Sequence, residues 1–400
     1  MSGSHALPRL ACVADVNVQN FCHGSLQLFR LLSDYPVEKL LIIETTWNCS
    51  APERRLPGVT YRHFRPWWTR IFHQRRAPSL APFLAKLAAR RWKTFARQIH
   101  SFAPEALLTV AHGFSWLAVS EMAQHLKLPL HLVVHDDWLR HPSYSREVSD
   151  RLTSIFGDHY RRAASRLCVS DTMEEAYRDT YGVPGTVFYP TRAADLVVAQ
   201  EPPARLSGEI KNPTVAFAGT LHPGQIAPLR AMADTLQDLK GRLLIFGPTT
   251  QAELHEAGLA APHIERLGHQ PTPNALLAAL REEADLLYTP LPFDETWRGN
   301  ASLGFPSKLT DYSAAGLPIL IHGPSWSAAA KWAHREPHAV LLVESLSPES
   351  LKAALASIQN DVALRLQLAQ GALNAGRKYF SAAAALSTFR QALLSPFMSA

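Results

Sequence analysis

Short apolar runs alternate along the chain with longer stretches in which apolar residues recur every three or four positions. In the first half the runs are 10–14, 40–43, 106–111, 130–135 and 167–169. Helical patterns lie between them, near 22–33, 80–100, 115–126, 147–163 and 172–181. Strands alternating with helices at this spacing predict parallel sheet joined by right-handed crossovers. Residues 199–213 read AQEPPARLSGEIKNP, with three prolines and no apolar period, and so read as a linker. The rhythm then restarts with runs at 215–218, 243–246, 264–267, 286–288, 319–321 and 340–343. Two long helices with no strand between them, 361–378 and 382–396, end the chain. The pattern predicts an α/β protein of two doubly wound domains facing a cleft. Such sheets bind ligands at the carboxyl ends of their strands, where the strand order reverses. The expected organisation is a first domain over 1–198, the linker 199–213, a second domain over 214–378, and a terminal segment 379–400.

Composition narrows the class. The chain has 400 residues, too many for one ordinary core, with 47% hydrophobic and 18% charged residues. That balance fits a globular chain and excludes disorder as the main theme. Cys12, Cys22, Cys49 and Cys168 are far apart and form no CxxC, which excludes a zinc ribbon and disfavours a disulfide framework. The longest charge-poor candidate for a membrane span, 312–330, is broken by Gly316, Pro318, Gly323 and Pro324. The first residues lack the apolar core of a signal peptide, Asp15 interrupting the one candidate, so a reducing cytoplasm is expected. Charge is unevenly placed. Residues 54–100 hold 12 Lys or Arg and no acid, and the rest of the chain carries 28 basic against 34 acidic residues. One stretch makes the whole protein basic.

The segment 305–320, FPSKLTDYSAAGLPIL, carries the most chemistry. Ser307 reads as an N-cap and Gly316 with Pro318 as a helix stop, which predicts a helix of about two turns before a buried strand. Its amino end offers N–H groups to an anion, and Lys308 stands in the first turn. Asp311, three residues on, shares a face with Lys308. A cation beside a helix amino end suits a diphosphate, and a carboxylate one turn on suits vicinal ribose hydroxyls. An ordinary surface helix with a Lys–Asp pair is the alternative. Gly219-Thr220, Gly247-Pro248 and Gly268-His269 each follow a predicted strand directly, where glycine lets a ligand approach the backbone.

These pieces resemble a known family. VAFAGTL (215–221), LLIFGP (243–248), IERLGHQPTPNALLAALREEADLLYTPL (264–291) and FPSKLTDYSAAGLPILIHGP (305–324) are similar, in order and spacing, to the nucleotide-sugar domain of GT-B glycosyltransferases, especially family 4 and its relatives. The resemblance implies two Rossmann-like domains and a nucleotide-diphosphate sugar as donor. It places the donor against Gly219, Thr220, Phe246, Gly247, Gly268 and His269, and against the turn of Pro306, Ser307 and Lys308. Asp311 stands where the family has the second, ribose-binding Glu of its Glu-x7-Glu motif. The first Glu falls at Leu303, and the basic residues usual after the first glycine loop are absent from GTLHPGQIAPL. Lys308 then supplies the diphosphate charge. Donor base, sugar and stereochemistry stay open.

The first domain is expected to serve the acceptor. Gly24-Ser25 opens a helical pattern after the first strand, as does the first-domain glycine loop of the family, and a plain helix start reads the same way. His135-Asp136-Asp137 follows the apolar run LHLVV. Imidazole and carboxylate at a strand end suit general-base work on an acceptor hydroxyl, with Asp136 or Asp137 taking the proton in an inverting enzyme and His135 positioning the sugar in a retaining one. An N-capping Asp beside a satisfied His is the bland alternative. A metal-binding Asp pair is a third, disfavoured because the resemblance implies helix dipoles and basic residues in place of a metal. No cofactor is expected.

The basic stretch interleaves Tyr61, Phe64, Trp67, Trp68, Phe72, Phe83, Trp92 and Phe95. That mixture suits an anionic membrane surface, and solvated helices with buried aromatics explain it equally. No nucleic-acid motif accompanies it, so no nucleic-acid partner is expected. By resemblance, the final helix crosses back to the first domain.

Other chemistries lack their signatures. There is no GxGxxG after a strand, no GxxxxGK[ST], no HExxH and no GxSxG. The sequons at Asn48 and Asn300 carry no weight without a secretion signal. The expectation is a cytoplasmic glycosyltransferase, peripheral at the inner face of the plasma membrane, with His135, Asp136 and Lys308 catalytic. Its acceptor would be a sugar or lipid-linked glycan, in bacterial polysaccharide or glycolipid synthesis. A nucleotide-sugar epimerase or hydrolase of the same fold, or a non-catalytic nucleotide-sugar-binding scaffold, are the alternatives.

Overall fold

The computed structural model describes residues 7–21, 23–66, 78–140 and 144–398. The chain divides into two compact units: Met1–Pro190 with Ala382–Ala400, and Thr191–Ser381.

The first unit is built on a seven-stranded parallel sheet ordered β3-β2-β1-β4-β5-β6-β7. Its strands are β1 (Leu10–Ala14), β2 (Leu40–Glu44), β3 (Thr60–His63), β4 (Ala106–Val110), β5 (Leu130–Val134), β6 (Ser165–Cys168) and β7 (Thr186–Val187). Strands β1, β2, β4 and β5 are buried at every position, which is why they read as unbroken apolar runs. The two edge strands carry no such run. Thr60–His63 is exposed at both ends and half-buried between, with no buried position, and Thr186–Val187 has two residues, so neither stands out in the sequence. The helical pattern near 80–100 resolves into two helices, Ala81–Ala89 and Trp92–Ile99, broken at Arg90-Arg91 and burying separate stripes. The last helix, Ala382–Met398, sends Phe389 and Leu393 into the core formed by β1, β2 and β4. Two such fully buried side chains contribute about 1.5–3 kcal/mol each.

The second unit has a six-stranded parallel sheet ordered β10-β9-β8-β11-β12-β13. Its strands are β8 (Thr214–Ala218), β9 (Arg242–Phe246), β10 (Ile264–Gly268), β11 (Leu286–Pro290), β12 (Ile319–His322) and β13 (Leu341–Val343). The strand order reverses between β8 and β11, as it does between β1 and β4 in the first unit. The proline-rich segment 199–213 belongs to this unit. The guanidinium of Arg365, fully buried, donates to the carbonyls of Leu206 (2.7 Å), Gly208 (2.6 Å) and Gln359 (3.1 Å). Arg205 pairs with Asp285 at 2.7 Å. A segment without apolar period is thus fixed by hydrogen bonds to its carbonyls. No helix among the described residues is long and apolar enough to cross a membrane.

Candidate functional site

In the second unit the carboxyl ends of β8, β9 and β10 end on three glycines laced side by side. Gly219 N–H donates to the Phe246 carbonyl at 2.9 Å, and Gly247 N–H donates to the Gly268 carbonyl at 2.8 Å. Gly219, Gly247 and Gly268 have φ of +145°, +133° and +69°. A Cβ on Gly247 would overlap the Gly219 carbonyl, so only glycine allows these loops to approach so closely. Thr220 and His269 follow their glycines and are exposed. Phe246 is different. Its side chain is buried at 1% exposure and its carbonyl is taken by Gly219, so it shapes the loop from below and offers no side chain to a ligand.

The Ser307-Lys308 turn packs against this row. The helix Lys308–Tyr312 has five residues, shorter than the two turns expected, and Ser307 makes no capping bond through its side chain. Ser307 already has helical φ and ψ, because the turn begins at Pro306: Leu309 N–H donates to the Pro306 carbonyl and Thr310 N–H to the Ser307 carbonyl. Those two donors are therefore spent inside the turn. The helix is held in place by a residue the sequence reasoning passed over. The Tyr312 hydroxyl accepts the Ala218 N–H at 2.6 Å, tying the helix to the end of β8. The signal was present, since Tyr312 is four residues from Lys308 and so lies on the same helical face.

That tie sets Lys308 over the β8 loop. Its ammonium lies 4.0 Å from the centre of the Phe217 ring and 3.4 Å from where a Cβ on Gly219 would stand. Among the described residues no carboxylate or carbonyl accepts from it, and burial pushes its pKa down from 10.5 to about 7. The ring face offsets part of the lost hydration and supplies no counter-charge. Asp311 is half-buried on the same turn, and its charge acts on the buried Arg192. Leu303, at the position of the missing carboxylate, is 5% exposed.

The matching place in the first unit is closed by its own chain. Asp15, just past β1, accepts from Phe114 N–H (2.8 Å), Ser115 N–H (2.8 Å), Ser115 Oγ (2.6 Å) and the Thr45 hydroxyl. It caps the helix Ser115–Leu126 that follows β4, and a Cβ on Gly113 would overlap its carboxylate. A carboxylate already satisfies the helix amino end at this reversal point.

Elsewhere in the first unit the structure brings Gly24 and His135 together. A Cβ on Gly24 would stand 3.4 Å from His135 Nδ1. Gly24 and Ser25 lie in the first turn of the helix His23–Leu32, both half-buried. The Nε2 of His135 is buried with no hydrogen-bond partner among the described residues. Burial lowers its pKa, Asp136 opposing and His112 adding to the effect, so the ring is neutral at pH 7. Asp136 is exposed, whereas Asp137 is buried and accepts the Tyr177 hydroxyl at 3.3 Å. The two acids therefore do different work, Asp137 holding structure. No group of three or more His, Cys, Asp or Glu among the described residues could hold a metal ion.

Much of the basic stretch is committed internally. Arg54 stacks on Phe21 (4.0 Å), Arg55 on Tyr61 (4.9 Å) and Arg65 on Trp47 (4.3 Å), and Trp92 stacks on His125 (4.1 Å). Phe95 is buried, while Phe83, Lys86 and Arg90 face solvent on one side of the helix Ala81–Ala89 and its end. Trp67, Trp68 and Phe72 lie outside the described residues.

No family model matches the chain, and no curated protein matches it by sequence. Solved structures do match. HepE of Anabaena, solved with UDP and glucose, is similar over 96% of this chain and 99% of its own, at TM-score 0.64 and 15% identity. A sucrose-phosphate synthase from Thermosynechococcus elongatus matches over 98% of this chain and 100% of its own, at TM-score 0.66 and 14% identity. A UDP-forming α,α-trehalose-phosphate synthase from Burkholderia vietnamiensis matches over 98% and 100%, at TM-score 0.62 and 16% identity. The chain shares their fold, the GT-B arrangement of two Rossmann-like units.

Lys308 gives the site a measurable signature. In the unfolded chain it holds its proton up to about 10.5, and in the folded chain only to about 7. Between those values the unfolded chain binds more protons, so this residue makes stability rise with pH. Lys308→Met is therefore expected to be more stable than the parent at pH 6, with the difference closing toward pH 10. Denaturant midpoints across that range check it, and a constant difference would contradict the assignment.

Proposed function

We propose that the protein is a glycosyltransferase that moves a sugar from a nucleotide-diphosphate sugar to a hydroxyl acceptor. The observation that carries this reading is Lys308, a half-buried ammonium with no counter-ion among the described residues, beside the glycine row at the end of β8. A diphosphate supplies the missing charge. As the bond between the sugar's anomeric carbon and the diphosphate oxygen breaks, negative charge grows on the diphosphate, and a fixed cation there stabilises the transition state. The acceptor oxygen forms the new bond and gives up its proton. His135, neutral and with Nε2 unpartnered, is the proposed group that receives or orients that hydroxyl, with exposed Asp136 beside it. Asp311 is the proposed acceptor for the ribose hydroxyls. Gly24, Ser25, Gly219, Thr220, Gly247, Gly268 and His269 are proposed to line the substrates through their backbone.

The similar HepE structures contain UDP and UDP-glucose, which makes a UDP-sugar the first donor to test. The buried Leu303 favours the second reading, a protein that binds the nucleotide sugar and hydrolyses it or leaves it intact. We place the reaction in polysaccharide or glycolipid synthesis at the inner face of the plasma membrane. The exposed side formed by Phe83, Lys86 and Arg90 would meet anionic lipid.

Thermal unfolding with UDP-, GDP-, ADP-, CMP- and dTDP-sugars is expected to give a shift with one nucleotide, absent in Lys308→Ala. Transfer by Lys308→Ala falls by about a hundredfold or more while the fold persists. Unchanged turnover would sink the assignment. Diphosphate release without any acceptor selects hydrolysis, and binding without turnover selects the scaffold. The parent is further expected to sediment with phosphatidylglycerol vesicles and not with phosphatidylcholine vesicles. Phe83→Asp with Lys86→Glu abolishes that, whereas equal sedimentation of the double variant would refute the membrane contact.

A further inference from the structure

A cavity of about 560 Å³ opens in the first unit between the helices Ala81–Ala89, Ser115–Leu126 and Arg146–Arg162. None of the residues proposed above for donor or acceptor lines it. Ala85, Ala89 and Ile155 give it a low apolar wall. On its polar side Glu121 accepts from Arg162 Nη2 at 2.8 Å and Asp158 from Arg161 Nη1 at 3.2 Å. Each acid is thus neutralised by its own arginine through one oxygen. Lys86 lines the same cavity, is exposed, and has no carboxylate partner for its ammonium among the described residues. Three cations against two acids leave the cavity one positive charge in excess.

His159 adds a directed donor. It lines the cavity and is 6% exposed, and its Nδ1 lies 2.8 Å from both Ser120 Oγ and Arg162 Nη2. A guanidinium can only donate, so Nδ1 accepts and the ring proton sits on Nε2. Burial, with the Arg162 charge adding to it, holds the pKa down at about 4, so the ring is neutral at pH 7. The Nε2 N–H has no hydrogen-bond partner among the described residues, whereas buried donors are normally satisfied. Next to the cavity, Leu80 and Phe83 are 50% and 64% exposed, and Phe83 lies three residues before Lys86, on the same side of the helix. Large exposed apolar side chains beside a cavity with surplus positive charge suit an amphiphile with an anionic head.

We propose that this cavity seats the headgroup of an anionic phospholipid of the phosphatidylglycerol type. The Lys86 ammonium and the His159 Nε2 N–H take the phosphate, and the remaining oxygens of Glu121 and Asp158 accept from the glycerol hydroxyls. Leu80 and Phe83 enter the acyl boundary above it. This rests on the membrane contact proposed above and deepens it: that contact needs only a basic surface, whereas this one is a site with a shape.

The test measures Kd for phosphatidylglycerol and phosphatidylcholine vesicles, for dihexanoyl phosphatidylglycerol below its micelle concentration, and for glycerol 3-phosphate. The proteins are the parent, Ala89→Phe and His159→Phe. Neither substitution changes the net charge at pH 7: the first fills the cavity, and the second removes the N–H and keeps a ring. Both are expected to weaken binding to phosphatidylglycerol vesicles by about tenfold or more, the worth of a charge-assisted hydrogen bond, and to abolish binding of the short-chain lipid. Ala89 ends its helix half-buried, so Ala89→Phe serves should His159→Phe fail to fold. A parent that binds no phosphatidylglycerol vesicle overturns the membrane contact and this inference with it. A parent that binds them, with both variants binding equally well, overturns the inference alone, since a basic surface then suffices. Equal binding to phosphatidylcholine vesicles overturns the headgroup assignment. Glycerol 3-phosphate bound as tightly as the short-chain lipid overturns the lipid source, and the cavity then serves a free polyol phosphate.

Discussion

A half-buried ammonium group with no counter-charge among the described residues is the constraint around which the second unit's strand ends are arranged. Leaving Lys308 so placed costs folding free energy, because desolvation opposes its charged form and the Phe217 ring beside it brings no counter-charge. The local structure sustains that cost. Tyr312 pins the short helix to the end of β8, and Gly219 leaves open the space beside the ammonium. Gly247 and Gly268 bring their loops to the same edge through one backbone hydrogen bond. Sites that retain such strain are usually relieved by a ligand.

The two sheets reverse strand order in the same way and treat the reversal point oppositely. In the first unit Asp15 fills it, capping the helix after β4 with four hydrogen bonds and satisfying the donors that would attract an anion. In the second unit Lys308, with no anionic partner among the described residues, stands near it. Topology alone would allow an anion at either sheet. One carboxylate after β1 and one cation before β12 leave the second sheet the better placed for an anion, which is where the donor site is proposed.

Buried central strands were legible because burial on both faces makes them continuous apolar runs, as in LACVA and LLIF. The edge strand Thr60–His63 was not, since a half-exposed strand needs no apolar run. The row of glycines was visible as three glycines after three strands, but its lacing depends on close approach between loops distant in sequence. Ser307 has the right residue type for a cap and misses it because the turn starts one residue earlier, at Pro306. Phe246 lies beside the loop and is nonetheless a core residue. The roles of Tyr312 and Asp15 depend on partners 94 and 100 positions away, beyond any local pattern. Composition marked the 54–100 stretch as basic, whereas only contacts reveal that Arg54, Arg55 and Arg65 cover aromatic rings.

The most direct measurement is the proton count on nucleotide binding. At pH 8 the free protein holds Lys308 mostly neutral, and a diphosphate beside it restores the charge. Calorimetric titration with UDP, GDP and ADP in buffers of different ionisation enthalpy should show uptake of about one proton per bound nucleotide. The same titration of Lys308→Met should show none. Tight binding by the parent with no proton uptake would mean that the diphosphate is held elsewhere, and the central role given to Lys308 would be wrong.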